Sequence, residues 1–371
     1  MLVHGSDEDT MSEELETNAD KILASAMKMS DKIEADIAVN PQKYRVLTGD
    51  RPTGRLHIGH YFGSLKNRVR LSKLGVPTMI LIADYQVLTD HDAYDKISQN
   101  TKELVIDYLA AGIEPGEHVC IYPHSHVPEA NQLMVPFLAL VTRAELDRNP
   151  TVKDEMAKSA IPLNAGMYTY PVHQAVDILF CKGNVVPVGK DQLPHLEIAR
   201  VIARRFNNQF CKNSEPVFPE PHALLSKTPM IMGLDGNAKM SKSLGNTIML
   251  SATEDETALL IKKAKTDQDR HITYDPEHRK EVANLLRIIS LCTDEEPEAI
   301  AERIGDGGGG ALKAELTEAL NEHLKPLRAK RAELEQQPEL IKRVLNEGVE
   351  KAREIASKTL LEVRHVMNME I

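Results

Sequence analysis

The stretch Tyr44-Arg45-Val46-Leu47-Thr48-Gly49-Asp50-Arg51-Pro52-Thr53-Gly54-Arg55-Leu56-His57-Ile58-Gly59-His60 decides the fold. Residues 44–48 read as a buried strand, glycine and proline then break it, and a helix is predicted from about residue 58 to 74. A strand that passes through a glycine-bearing turn into a helix presents the free N–H groups and positive dipole end of that helix to a phosphate. His57-Ile58-Gly59-His60 stands at this junction, and Gly59 lets a flat ring such as adenine lie close to the backbone.

A second word, Lys239-Met240-Ser241-Lys242-Ser243, comes far downstream, after the polar turn Leu234-Asp235-Gly236-Asn237. That turn suits a mobile loop that closes over a triphosphate. Alone, His57 and His60 could be a metal pair, and a lysine-serine run is commonly a solvated loop. Together, in this order and on a strand-turn-helix frame, they point to a nucleotide. Activation of a carboxylate by ATP builds charge on the α-phosphate and the departing pyrophosphate, and His57, His60, Lys239 and Lys242 are suitable donors to it.

Around these words the chain alternates. Strands are predicted at 78–83, 118–122 and 185–188, with helices at 93–111, 129–147, 172–180 and 192–206. This predicts an α/β fold with a doubly wound, Rossmann-like parallel sheet. After Ser243 the pattern is helical only, at 254–265, 280–292, 297–304, 311–335 and 339–366, and the last helix is expected to return to the sheet. Gly307 to Gly310 lacks a following Gly-Lys-Ser/Thr and reads as a flexible turn between helices. Three parts are expected: an extension over 1–42, a catalytic domain over 43–250 and a helical region over 251–371.

The 371 residues carry a net charge of −10. Ten acidic and three basic residues fall within the first forty, so the body is near neutral and any basic surface must be local. Arg143, Arg148 and Lys153 form one such group, and Lys262, Lys263, Lys265 and Arg270 another. Within the extension, residues 1–11 are polar and expected to be disordered. Ile22, Leu23, Ala26, Met29, Ile33 and Ile37 recur at helical spacing, as in a helix laid on the body or on a partner. Cys120, Cys181, Cys211 and Cys292 form no CxxC pair and no metal spacing, and read as reduced thiols. No signal peptide and no membrane-length apolar run is present, so a cytoplasmic protein is expected.

Three more segments, Tyr168-Thr169-Tyr170-Pro171, Gln174-Ala175-Val176-Asp177-Ile178-Leu179 and Val186-Pro187-Val188-Gly189-Lys190-Asp191-Gln192, complete a resemblance. From about Tyr44 onward the chain resembles the class I aminoacyl-tRNA synthetases, and among them the tryptophanyl-tRNA synthetases. The Thr48 to Gly54 run and Asn149-Pro150-Thr151-Val152-Lys153 are similar to the auxiliary, second bacterial type. The resemblance implies ATP contacts from Arg51, Pro52, Thr53, Gly59 and His60, from Gly189, Lys190, Asp191 and Ile231, and from Lys239, Met240, Ser241, Lys242 and Ser243. It implies that Lys153 reaches the pyrophosphate, that Asp177 accepts the indole N–H, that Tyr170 and Gln192 hold the α-amino group, and that Leu47 and Gln174 complete the tryptophan pocket.

Gln174 stands where methionine is common, and His57 and His60 where threonine and asparagine are common. Tyrosine is the rival substrate, because tyrosine enzymes also carry the glutamine and aspartate. They place a tyrosine where Leu47 stands here, and an aliphatic residue leaves a phenol oxygen unpaired. Also implied are ATP with Mg²⁺ and no protein-bound metal or Fe–S cluster, tRNA(Trp) as partner, an anticodon-binding role for the helical tail, and a homodimer. A synthetase paralogue that binds without charging is the alternative of another class.

Overall fold

The computed structural model describes residues 23–89, 94–149, 152–153, 164–228, 230–236 and 239–371. Five strands, β1 Val46–Asp50, β2 Thr78–Ile82, β3 Val119–Pro123, β4 Val185–Val188 and β5 His222–Leu225, form one sheet in the order β3-β2-β1-β4-β5. Every pairing is parallel, with Val46 opposite Thr78 and Thr78 opposite Val119. Continuous apolar runs such as Thr78-Met79-Ile80-Leu81-Ile82, buried throughout, suit strands covered on both faces. Strand order reverses between β1 and β4, where ligands bind beyond the strands' carboxyl ends. β5 escapes the sequence because it is a four-residue edge strand behind Pro216, Pro219 and Pro221.

Other differences have local causes. The helix predicted over 58–74 is built as Ile58–His60, a widened π-turn Tyr61–Leu65, and Lys66–Lys73, with Ser64 Oγ donating to the His60 carbonyl within the wide turn. The helix predicted over 129–147 is three short ones, Pro128–Asn131, Met134–Leu138 and Arg143–Asp147. Pro136 has no N–H to continue a helix from upstream, and a Thr142–Glu145 capping box starts a new one. Conversely, Pro171 does not begin its helix. The helix spans Ala165–Phe180, started by Asn164 Oδ1 accepting from the Met167 N–H at 2.9 Å. Gly308 to Gly310 form the first turn of the helix Gly308–Glu335, where a flexible turn is expected.

One core cluster lies on one face of the sheet and runs from Ile58, Ile80 and Leu104 to Leu286, Leu316 and Leu324 of the tail. The other face joins Leu47, Tyr122, Phe180 and Phe206 to Ala352 and Leu360. The last helix, Pro338–Val366, thus returns to the sheet, and it crosses β3 so closely that a β-carbon on Gly348 would lie 1.9 Å from the Ile121 carbonyl oxygen. A helix over 23–37 docks on the body through Ile33 and Ile37, which share a cluster with Val46, Leu71, Val185 and Leu224. The Leu225 N–H of edge strand β5 donates to Ser30 Oγ at 2.9 Å. Residues 1–11 lie outside the described residues.

Candidate active site

Asp50, Asp84, His124 and Gly189 lie at or just past the carboxyl ends of β1, β2, β3 and β4. Next to Asp50, the histidine turn is fixed by its own bonds. His57 Nδ1 accepts from the Gly59 N–H at 3.1 Å, and the His57 N–H donates to His60 Nδ1 at 3.3 Å. Both Nδ1 atoms are acceptors, so each neutral ring carries its proton on Nε2 and offers one N–H outward. Burial above all, then the nearby positive side chains, pushes His57 down to about 3. Burial likewise lowers His60 to about 4, against the pull of Asp50. The two histidines are therefore neutral donors near neutral pH. A β-carbon on Gly59 would come within 2.9 Å of the His57 ring, so that ring needs the glycine before any ligand does.

The two words are clipped together. The Ile58 N–H donates to the Ile248 carbonyl at 2.9 Å, the Leu250 N–H to the Leu56 carbonyl at 3.0 Å, and Lys242 Nζ to the Thr53 carbonyl at 3.3 Å. Asn246 braces the lysine loop, its Oδ1 accepting from the Ser241 N–H and its Nδ2 donating to Asp235. Asn284 of the helix Lys280–Thr293 makes a two-way amide pair with the Met232 backbone. The sequence predicts a mobile loop that closes over a triphosphate; the structure shows the loop lying against the histidine turn through Lys242 and the flanking backbone bonds, and braced internally by these amides. Burial lowers the Lys242 pKa, while Asp107 and Asp50 pull it back up.

Ile231 is buried, and so is Met240 within the lysine loop itself. Arg51, Thr53, Gly189, Lys190, Lys239 and Ser243 are exposed, and Pro52 is buried. Lys153 is exposed after Asn149, and the Asp191 side chain lies outside the described residues. Of the basic groups, Lys265 pairs with Glu281 and Arg143 with Asp147.

Two buried ion clusters flank the turn and were not singled out from sequence. Asp50 takes Arg68 Nη1 at 2.5 Å and the Tyr108 hydroxyl at 2.7 Å. Burial disfavours its charge, but Arg68 more than offsets this and holds the carboxyl low. Asp107 accepts the Leu56 N–H at 2.7 Å and pairs with Arg331 of the tail helix Gly308–Glu335. Burial pushes Asp107 up to about 6 against the pull of Arg331. The sequence does hold one signal: Leu65, Arg68 and Leu71 at three-residue spacing put Arg68 on a buried stripe, where an arginine needs a carboxylate.

Tyr170, Gln174 and Asp177 share one face of the helix Ala165–Phe180 by their spacing of four and three. The Tyr170 hydroxyl donates to Gln86 Oε1 at 3.3 Å. Gln174 Oε1 is buried without a hydrogen-bond partner among the described residues. Asp177 is 2% exposed, with His124 Nδ1 at 3.3 and 3.4 Å from its two oxygens and His173 Nδ1 at 3.9 Å. Leu47 is buried in the cluster that holds Tyr122 and Val176, and Gln192 is exposed at the end of the turn Lys190–Gln192. His124, His173 and Gln86 are the residues that sequence reasoning missed. His124-Ser125-His126 immediately past a strand end was their one legible signal.

One potential ligand atom from each of His124, His173 and Asp177 lies within 4.8 Å of the others, a spacing a metal could use. The Tyr85 N–H donates to His124 Nε2 at 2.8 Å, which leaves Nδ1 protonated in the neutral ring and donating to Asp177. The hydrogen bonds already made favour a polar triad over a metal centre.

A parallel sheet with paired neutral histidines at its switch point and a lysine loop folded over them defines a nucleotide-binding synthetase of the class I type. The family described as tRNA synthetases class I (W and Y) matches residues 40–325, and the chain belongs to that family. It is 42% identical over 336 residues to a tryptophan–tRNA ligase of Clostridium longisporum, covering 88% of this chain and 97% of that one. Over 335 residues it is 42% identical to the tryptophan–tRNA ligase of Treponema pallidum. Among solved structures, tryptophanyl-tRNA synthetase of Campylobacter jejuni, complexed with ADP and tryptophan, superposes with a TM-score of 0.75 at 33% identity, covering 87% of this chain and 99% of that one. A tyrosyl-tRNA synthetase of Aeropyrum pernix shares the fold, with a TM-score of 0.64 at 20% identity.

Proposed function

We propose that this enzyme activates L-tryptophan with ATP to the aminoacyl-adenylate and transfers it to tRNA(Trp). The observation that carries the reading is the joining of the two nucleotide words, with Lys242 bonded to the Thr53 carbonyl beside a pair of neutral histidines. The tryptophan carboxylate attacks the α-phosphate in line. The Nε2–H groups of His57 and His60 and the ammonium groups of Lys242, Lys239 and Lys153 meet the charge on the phosphates as pyrophosphate leaves. No protein nucleophile is needed, since catalysis rests on positioning and charge stabilisation. ATP enters as its Mg²⁺ complex, the ion riding on phosphate oxygens.

Asp177 reads the indole N–H, and the unmet Gln174 carbonyl, with Tyr170 and Gln192, serves the polar end of the substrate. The helical tail receives tRNA, two copies of the chain form the working unit, and the reaction runs in the cytoplasm. No described helix is long and apolar enough to cross a membrane.

Amino-acid-dependent ATP–pyrophosphate exchange, run with tryptophan and tyrosine side by side, tests the reading. Tryptophan alone is expected to support exchange; a comparable rate with tyrosine overturns the specificity.

A further inference from the structure

Asp177 does not stand alone. His124, 3% exposed, is held at both ring nitrogens: Nε2 accepts the Tyr85 N–H at 2.8 Å, and Nδ1 donates to the two Asp177 oxygens at 3.3 and 3.4 Å. Its frame is itself braced, because Asp84 accepts from the Tyr85 and Ser125 N–H groups at 3.1 Å and from the Ser125 hydroxyl. Loops after β2 and β3 are thereby tied together, with His124 bridging from them to the substrate helix. His173 is turned elsewhere, its Nε2 3.1 Å from Asn131 Oδ1 and its Nδ1 3.9 Å from Asp177.

We propose that His124 is a positioning residue for substrate selection, whose Nδ1–H fixes the Asp177 carboxylate in the orientation that receives an indole N–H. The inference rests on Asp177 being the group that reads the indole.

A buried carboxylate without donors turns or takes up a proton. An arginine or lysine partner would hold it but would also cancel its charge towards a ligand. Burial disfavours a charged His124 ring, while Asp177 and Asp84, the latter 3.3 Å from Nε2, raise its pKa above the ordinary value. With Nε2 accepting the Tyr85 N–H the ring is neutral, and a neutral imidazole N–H does neither. It occupies one shared position of the roughly four that a carboxylate can offer, and leaves the negative charge and the other lone pairs to the substrate. Alignment of this kind makes the site selective, since an analogue without the N–H leaves a buried acceptor unpaired.

The test compares tryptophan with β-(3-benzothienyl)alanine, which has the same shape with sulfur in place of the N–H. Dissociation constants are measured by calorimetry on the parent, His124→Asn and His124→Gln. Asparagine keeps a donor at the Nδ1 position, whereas glutamine keeps polarity only at the Nε2 position. The parent is expected to prefer tryptophan, and His124→Asn to keep most of that preference. His124→Gln is expected to lose about tenfold of it, the scale of a hydrogen bond to a charged group, with affinity for the sulfur analogue little changed. Retained preference in His124→Gln, or equal weakening of both ligands in both variants, overturns the positioning role. A parent that binds the two ligands equally overturns the reading of Asp177 itself, an outcome distinguishable because it needs no variant.

Discussion

His57 and His60 show how local bonds settle a residue's chemistry. Both pKa values lie below that of a free imidazole, at about 3 and about 4. Between pH 6.5 and 4 the unfolded chain therefore binds protons that the folded chain does not, and the pair's contribution to stability is present above 6.5 and falls as pH drops. The rate of adenylate formation is expected to show no titration of these rings near 6.5. Comparing the pH profile of exchange for the parent and His60→Asn checks this; an acid limb near pH 6 that the substitution removes would refute it. Lys242→Ala is expected to lower kcat about a hundredfold, the scale for one donor to transition-state charge, with little change in KM for tryptophan; an unchanged rate takes the lysine out of the mechanism. At Asp177 the chain's lack of tryptophan helps, since the substrate's indole is then the one emitting in a titration. Asp177→Ala is expected to weaken binding by about 1.5 to 3 kcal/mol, read as the shift of a saturable change in emission. Undiminished affinity in a variant still folded by circular dichroism assigns the indole N–H to another group.

At the scale of the element, the helix over 23–37 is laid on the body, one of the two placements its apolar spacing allowed. No motif lies before Pro41, so sequence alone leaves the first forty residues expendable for adenylate formation. The structure divides them, because Ile33 and Ile37 complete a cluster with Val46 of β1 and Val185 of β4, and Ser30 caps an edge-strand N–H. Removing residues 1–22 is expected to leave stability and exchange unchanged, and Ile37→Ala to cost about 2 to 5 kcal/mol, the range for emptying a fully buried aliphatic site. Urea unfolding followed by circular dichroism checks both, and a cost below about 1 kcal/mol would mean that the helix does not dock through this residue.

Across the whole molecule, a buried carboxylate is one of the links that join the tail to the chemistry. Asp107 bonds the Leu56 N–H, one residue before His57, and also pairs with Arg331, more than two hundred residues further along. Arg331 pairs with Glu103 and Glu335 too, and Arg55 with Glu103. Arg331→Met is expected to destabilise the protein by about 3 kcal/mol, because removing one partner strands a buried charge. The double variant with Asp107→Asn is expected to recover part of that loss in urea unfolding. Additive costs would show that the two residues do not act as a pair.

The sequence by itself determined the class of sheet, the two nucleotide words and the polar face of Gln174 and Asp177, because each is written in short spacings: strand-turn-helix order, two fixed words, and residues three apart on one helix. Tyr170 joins that face only because the helix begins at Ala165. A helical tail is legible too, and the return of its last helix to the sheet, an expectation from sequence, is met by the packing of Ala352 and Leu360. Tertiary structure alone decided which groups surround those residues. His124 reaches Asp177 from another strand's end, Arg331 reaches Asp107 from the tail, Asn246 braces Ser241 of the lysine loop, and Asn284 holds the Met232 backbone ahead of it. The physical reason is the same throughout. A buried charge or amide must find a partner wherever the packed chain brings one, and the identity of that partner is set by three-dimensional proximity, which no local period records.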